Sequence, residues 1–376
     1  MKRSRYDVVV LGGGPAGLAT ALMLRRAAGV SVLVAEAGAA DRERVGESAP
    51  PDLLVPLAEL GLGERFRADG HAPCPGNASL WGKLGTNDFL FNPMGPAWRL
   101  DRRRFDAMLA AAAREAGAEV VFETRHLRAS SAGRSGGEDH ELILVGPDRT
   151  AAGVRAGWVV DATGPAARFA RAMGVGRRVD DTLYALARFA PLGEGALSMQ
   201  TLLEATRDGW WYAARLPDRR AIAMFVTDRD GLRRMRGCGS AEWTRALTAT
   251  DFLGPRLAGL APGFQDAPEI LLPIQSALLD QTEGDRWLAV GDAAASYDPI
   301  AAQGVYKALT DGVAAGRLLA ARIGGGPAGP GYGERIVRRF QEYSANRSHL
   351  YALERRWPES PFWRTRQERA ERAGAT

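Results

Sequence analysis

Gly12-Gly13-Gly14-Pro15-Ala16-Gly17, followed downstream by the acid Glu36, has the residue types and spacing to hold a dinucleotide. Gly12 permits a tight turn, Gly14 leaves room for a pyrophosphate, and Gly17 lets a helix close onto a strand. Pro15 and Ala16 open that helix, whose free N–H groups and positive dipole end would face the phosphates. Glu36 would accept from a ribose 2′-OH and repel a 2′-phosphate, which leaves FAD or NAD. The elements that must position these residues are legible around them. Tyr6 to Leu11 is an apolar run suited to a buried parallel strand, Leu18 to Leu24 has helical spacing, and Val30 to Ala35 reads as a second strand. The same six-residue string recurs at Gly324 to Gly329. There it follows a helical stretch and precedes Pro330-Gly331, so that copy reads as a loop.

Later segments decide for FAD. Val159-Val160-Asp161-Ala162-Thr163-Gly164 is a strand ending in an acid and a small-residue turn, and Trp287 to Gly291-Asp292 repeats that pattern. Asp298-Pro299 then leads to Gln303-Gly304-Val305, the start of a long helix. An acid after a strand can bind a ribityl hydroxyl, and a helix N-terminus offers N–H groups to the negative edge of a reduced isoalloxazine. NAD requires neither feature.

In this order, the glycine turn with Glu36, Gly46-Glu47-Ser48, Asp101-Arg102-x-x-Phe105-Asp106, Asp161 to Gly164 and Gly291-Asp292 with Asp298-Pro299 resemble single-component flavin monooxygenases and flavin-dependent halogenases. The resemblance spans nearly the whole chain. It implies a glutathione-reductase-like α/β FAD-binding domain of Rossmann type, with an inserted sheet-rich substrate domain and a helical C-terminal tail. It also implies that Glu36 holds the adenosine ribose, Arg102 lies beside the cofactor, Asp292 holds the ribityl chain, and residues 299–305 cradle the flavin ring. Arg44 and Leu127 are further expected cofactor contacts.

Gly209-Trp210-Trp211-Tyr212 is similar to a halogenase tryptophan signature but departs from it at Tyr212 and at Ala214-Arg215. Lys83, two residues past Trp81, stands near the position of the lysine that handles oxidised halide in halogenases. The better match is to halogenase-like flavoproteins that modify a tryptophan of a partner protein during tryptophylquinone-cofactor biogenesis. It rests on Gly46 to Pro51, on Asp88 to Pro93 with Gly95, on Gly209 to Tyr212, and on Arg356-Trp357-Pro358-x-Ser360-Pro361-Phe362-Trp363. That resemblance implies hydroxylation of an aromatic ring through a C4a-hydroperoxyflavin, with O2 as co-substrate. NAD(P)H or a separate flavin reductase would supply electrons, since no second nucleotide fold is legible. Lys83 and Tyr212 are the expected catalytic groups; Trp81, Trp210, Trp211 and Tyr212 are the expected walls around an aromatic ring. Halogenation of an indole or phenol metabolite and flavin-dependent double-bond reduction are the alternatives.

Composition narrows the remaining classes. The 376 residues carry 46% hydrophobic and 25% charged side chains, as a folded chain of about two domains does. Of 49 basic residues only Lys2, Lys83 and Lys307 are lysine, and the basic residues are scattered among 44 acids, so nucleic acid is not an expected partner. Cys74 and Cys238 read as free thiols, and the four histidines show no zinc spacing. No apolar stretch is long enough to span a membrane, and a cytoplasmic location is expected.

The layout is discontinuous. Residues 1–75, 99–178 and 280–325 read as the FAD-binding domain, 76–98 and 179–279 as the substrate domain, and 326–376 as a C-terminal helical segment. Within the insertion, Thr182 to Ala190, Leu197 to Glu204, Trp210 to Leu216 and Ala221 to Thr227 are strand-like. Residues 131–140 read as a polar hairpin loop, and Arg335 to Arg356 as an amphipathic surface helix. The aromatic tail is expected to pack on the FAD domain, and Lys307 to lie on a helix surface.

Overall fold

The computed structural model describes residues 1–89, 91–130, 139–193, 197–236, 239–326 and 331–374. Most of the expected 131–140 loop, Cys238 and the end of the second glycine string lie outside these residues.

The first sheet is built on the strand Arg5–Leu11. It pairs in parallel with Val32–Ala35 on one side and Ala151–Asp161 on the other. Glu119–Val121 and Trp287–Ala289 extend the parallel array outward. Val8, Val9, Val10, Leu33, Val34, Val159 and Val160 are fully buried, as required of parallel strands covered on both faces. The helices Pro15–Ala28 and Gly304–Ile323 pack together over this sheet. Their approach is close enough that a Cβ at Gly312 would lie 2.5 Å from the Ala16 carbonyl oxygen.

The second sheet runs in the order Ala295–Ser296, Ile270–Leu279, Arg177–Pro191, Arg220–Thr227, Gly209–Arg215, Thr201–Thr206, Gly76–Trp81 and Lys83–Asp88. It is antiparallel except between Thr201–Thr206 and Gly76–Trp81. Alternation along each strand gives this sheet two different faces. On the outer face Trp211 and Phe225 pack with Trp243, Leu247 and Phe264 of the covering helices. On the inner face Trp210, Tyr212, Ile222 and Met224 form a second core with Tyr351, Phe362 and Trp363. Val45 and Ile300, from loops of the nucleotide half, pack against this inner face.

Two helices, Tyr332–Ala352 and Pro361–Gly374, close the chain. The first begins in the core of the nucleotide half, where Tyr332, Ile336, Phe340 and Tyr343 are buried. The tail's aromatic motif does not pack on that half. Phe362 and Trp363 sit on the inner face of the second sheet, and Trp363 Nε1 donates to the Thr206 carbonyl at 2.8 Å. Both rings are buried against the apolar inner face of that sheet, which removes their surface from water.

Candidate functional site

The glycine turn has the geometry its spacing predicts. Gly12 adopts φ +112°, and a Cβ there would lie 2.1 Å from the Ala162 carbonyl oxygen. A Cβ at Gly17 would meet the Gly12 carbonyl oxygen at 2.1 Å. At Gly14 the nearest atom to an added Cβ is Arg44 Nη1 at 3.7 Å, so that face is open. The helix that follows has Gly14 as its cap, Pro15 at its start and no acid in its first turn. Its first N–H groups therefore lack a side-chain acceptor, as an anion site requires.

Glu36 is buried at the end of Val32–Ala35 and accepts from Gly13 N at 2.6 Å and Gly38 N at 2.9 Å. Arg44 lies 3.7 Å from Glu36 and 3.2 Å from Asp106. Burial lowers the Arg44 pKa, with the two carboxylates opposing the shift. Arg102 donates to the carbonyls of Val45 and Gly46 at 2.8 and 3.1 Å and pairs with Asp106 at 3.3 Å. Asp101 caps the helix Arg102–Glu115 by accepting from Arg104 N, so the Asp101-to-Asp106 motif is a cap, a loop clamp and a shared carboxylate. Leu127 is 70% exposed on the strand Arg125–Ser130.

Asp161 corrects an expectation. Its side chain is fully buried and accepts from Thr163 N, Thr163 Oγ1 and Ala170 N at 3.0, 2.6 and 2.9 Å. These bonds employ both oxygens in holding the turn after the strand, leaving the carboxylate a structural clasp. Gly164 follows at φ +68°. Arg177 ties this turn to the next one by donating to Pro165 O at 2.5 Å, Asp292 O at 3.3 Å and Ser296 Oγ at 2.6 Å. Nothing local in the sequence marks Arg177 for that task, because its partners come from two remote turns.

Gly291, at φ +59°, directs Asp292 outward, and the Asp292 side chain is 43% exposed. Lys307 holds its carboxylate at 3.1 Å and corrects a second expectation: it is 1% exposed, not on the helix surface. Its ammonium also donates to Ala295 O at 2.6 Å and lies 4.8 Å above the Tyr297 ring. The turn Pro299–Ala301 leads through Ala302, at φ +51°, to Gln303 and the helix start at Gly304 and Val305. Gln303 and Gly304 are exposed, and nothing lies within 4 Å of a Cβ added at Gly304. The glycine turn, Glu36, Arg44, Arg102, Asp292 and residues 299–305 together fit the phosphate, ribose and ring ends of FAD.

Beneath Gly46-Glu47-Ser48 lies a buried polar network unseen in the sequence. The Tyr212 hydroxyl donates to Glu47 Oε1, lies 2.7 Å from Ser48 Oγ, and accepts from Arg99 Nη1 at 2.7 Å. Arg99 is fully buried and donates through Nη2 to Thr201 Oγ1 at 2.9 Å. Glu47 Oε2 accepts from Gly46 N at 2.9 Å. Burial lifts the Tyr212 pKa well above 10, with Arg99 pulling the other way and Glu47 adding to the rise. Arg99 itself is raised because Tyr212, Cys74 and Glu47 outweigh the cost of burial.

The four expected aromatic walls separate. Trp211 points to the outer face, toward Trp243 at 5.0 Å between ring centroids. Trp210 donates to the Tyr351 hydroxyl at 3.0 Å, and Trp81 donates to Leu350 O at 2.8 Å, so both are absorbed by the tail's aromatic cluster. Tyr212 alone among the four reaches the Gly46-to-Ser48 loop. Lys83 is exposed on the edge strand Lys83–Asp88.

A Rossmann-type nucleotide sheet, an added largely antiparallel sheet and C-terminal helices define the flavin-monooxygenase class of flavoprotein. The chain belongs to the FAD binding domain family, whose model matches residues 5–332, and is an FAD-dependent oxidoreductase. It is 30% identical over 365 residues to LodB of Marinomonas mediterranea, described as an FAD-dependent oxidoreductase, with 96% of each chain covered. The flavin-dependent halogenase CmlS superimposes with TM-score 0.79 at 26% identity, covering 99% of this chain and 70% of CmlS. The peptidyl tryptophan dihydroxylase QhpG, essential for tryptophylquinone cofactor biogenesis, gives TM-score 0.76 at 25% identity over 96% of this chain and 79% of its own. Among the described residues no helix is long and apolar enough to cross a membrane.

Proposed function

We propose that this protein is an FAD-dependent monooxygenase that hydroxylates an aromatic ring, and that the ring is a tryptophan side chain of a partner protein during quinone-cofactor maturation. The observation that carries the reading is the apolar inner face of the second sheet. Its residues Phe189, Tyr212, Met224, Leu272 and Ile274 share a cluster with Val45 and Ile300 from the two cofactor loops. An electron-rich ring held there would be flanked by apolar side chains and shielded from water. The likeness to QhpG supports a polypeptide substrate, and the exposed position of Lys83 favours hydroxylation over halogenation.

Bound FAD would supply the activation of O2, placing one oxygen atom on the ring while the other leaves as water, with two electrons from NAD(P)H or a separate flavin reductase. The chain's own residues bind and orient. The glycine turn and Glu36 would hold the adenosine diphosphate, Asp292 the ribityl chain, and the start of the helix at Gly304 the ring's negative edge. Tyr212 keeps its proton and gives it to Glu47 as a hydrogen bond, fixing the Gly46-to-Ser48 loop against the sheet. Nothing in this scheme calls for a nucleophile from the protein.

The test is aerobic co-expression with a quinone-cofactor amine dehydrogenase or amino-acid oxidase, followed by peptide mass spectrometry. Oxygen added to a tryptophan only when this protein is present supports the proposal. An unmodified partner alongside bromide- or chloride-dependent modification of a free indole would replace it with halogenation.

A further inference from the structure

The family match ends at residue 332, where the first tail helix begins. On that helix Tyr343, Arg347 and Tyr351 recur at four-residue spacing and so share one face. All three converge on Asp298. The Tyr343 hydroxyl accepts from Asp298 N at 2.7 Å, Arg347 Nε donates to Oδ2 at 3.1 Å, and the Tyr351 hydroxyl donates to Oδ2 at 2.8 Å. The other carboxylate oxygen accepts from Ile300 N at 3.0 Å and thereby shapes the turn Pro299–Ala301. Tyr343 also stacks on Tyr297, with ring centroids 3.9 Å apart.

The charges are buried as well as paired. The Asp298 side chain is 0% exposed and that of Arg347 8%. Arg347 contacts Asp181 too, but Asp181 has Arg366 at 3.0 Å and Arg369 at 3.3 Å from the last helix. Among the ion pairs of the described residues, Arg347 is thus the cation facing Asp298, whereas Asp181 has others. Without Arg347 a buried anion would be left uncompensated at the base of the turn that precedes Gln303 and Gly304.

We propose that Tyr343, Arg347 and Tyr351 are positioning residues that hold the turn at 299–304 through Asp298. By neutralising Asp298, Arg347 also keeps its charge from opposing reduction of the flavin. The tail would then belong to the redox centre and not merely cover a sheet. The proposal rests on the assignment of residues 299–305 to the flavin ring and is independent of the substrate.

The test compares Arg347→Met, Arg347→Lys and the double variant Arg347→Met/Asp298→Asn, each as the full chain loaded with FAD. Midpoint potential, FAD dissociation constant and thermal midpoint are read without substrate. Arg347→Met is expected to lower the potential and raise the FAD Kd by about tenfold or more. Arg347→Lys should recover part of both, and the double variant should return the potential toward the parent value, which a purely structural role would not do. Folded Arg347→Met with unchanged potential and Kd overturns the proposal. If Arg347→Met does not fold, Tyr351→Phe carries the test, since it removes a hydrogen bond and leaves no stranded charge. A shifted flavin absorption spectrum is expected there, and an unchanged spectrum and potential refute the idea. Gly304→Ala separates the two premises, because nothing in the protein lies within 4 Å of a Cβ added there. Unchanged FAD affinity in Gly304→Ala refutes the placement of the ring; weakened affinity there with unchanged affinity in Arg347→Met refutes the positioning role.

Discussion

Tyr212→Phe removes one oxygen atom from a fully enclosed site, and the structure allows its cost to be worked out. The hydroxyl has three partners: Glu47 Oε1, Ser48 Oγ and Arg99 Nη1. After its loss Arg99 Nη1 keeps Ser48, and Glu47 Oε2 keeps Gly46 N, but Glu47 Oε1 loses its donor. A hydrogen bond to a charged group contributes about 1.5–3 kcal/mol, so a destabilisation of roughly 2–4 kcal/mol is expected once the stranded oxygen is counted. The double-mutant cycle with Glu47→Gln should give a coupling of about 1.5 kcal/mol or more. Urea unfolding of the FAD-loaded protein near neutral pH is the assay. Burial holds the Tyr212 pKa above its unfolded value near 10, so its stabilisation is complete below that pH and is lost as pH rises through the folded value. A coupling under about 0.5 kcal/mol would show that the network is geometric coincidence. Stability lost with full FAD affinity retained would place Tyr212 in the sheet's support and outside the cofactor loop's.

Lys307→Met should cost about 2–4 kcal/mol and weaken FAD binding, because it frees the Asp292 carboxylate and leaves Asp311 with Arg339 at 2.6 Å; the lower end applies since Asp292 is partly hydrated. Urea unfolding and FAD titration check this, and a change within about 0.5 kcal/mol would show that the buried ammonium contributes nothing net to stability. Lys83→Ala should leave stability within about 0.5 kcal/mol and retain hydroxylated product, and loss of a halide-dependent product would instead identify Lys83 as a halogenase lysine. Burial lowers the pKa of His71 and of His126 below 6.5. The unfolded chain therefore takes up protons first as pH falls, and unfolding free energy should decline from about pH 6.5 downward to the folded values. A His71→Gln/His126→Gln variant with an equally steep decline would remove these imidazoles as the cause.

The residues read correctly from the sequence share a feature: a local backbone requirement already calls for their residue type, even where, as at Gly12, a remote carbonyl also crowds the site. Gly12 and Gly17 are needed by the turn and helix they belong to, and Pro15 by the helix it opens. The apolar, aromatic run that marks Trp210 to Leu216 as strand-like was also legible. A strand there already requires Trp210 and Trp211, adjacent in the chain, to face opposite sides, so the two could not wall the same ring. Asp161 shows the converse failure, since an acid after a strand looks the same whether a cofactor or Ala170 N takes its oxygens. Of the four aromatic residues expected around one ring, strand alternation turns Trp211 to the outer face, and the tail helix takes Trp81 and Trp210 through Leu350 O and the Tyr351 hydroxyl.

The dinucleotide turn with its flanking strand and helix was legible in the sequence, because hydrophobic period and glycine spacing act over short separations; the inserted sheet and helical tail followed from the resemblance to flavin monooxygenases carried by the ordered motifs. The sequence by itself could not determine which charges meet. Lys307 with Asp292 and Arg347 with Asp298, and Arg99 with Glu47 through the Tyr212 hydroxyl, are brought together only when sheet, loops and tail have packed. A buried ion pair depends on the distance between two groups and on their shared exclusion from water, and both are properties of the folded chain alone.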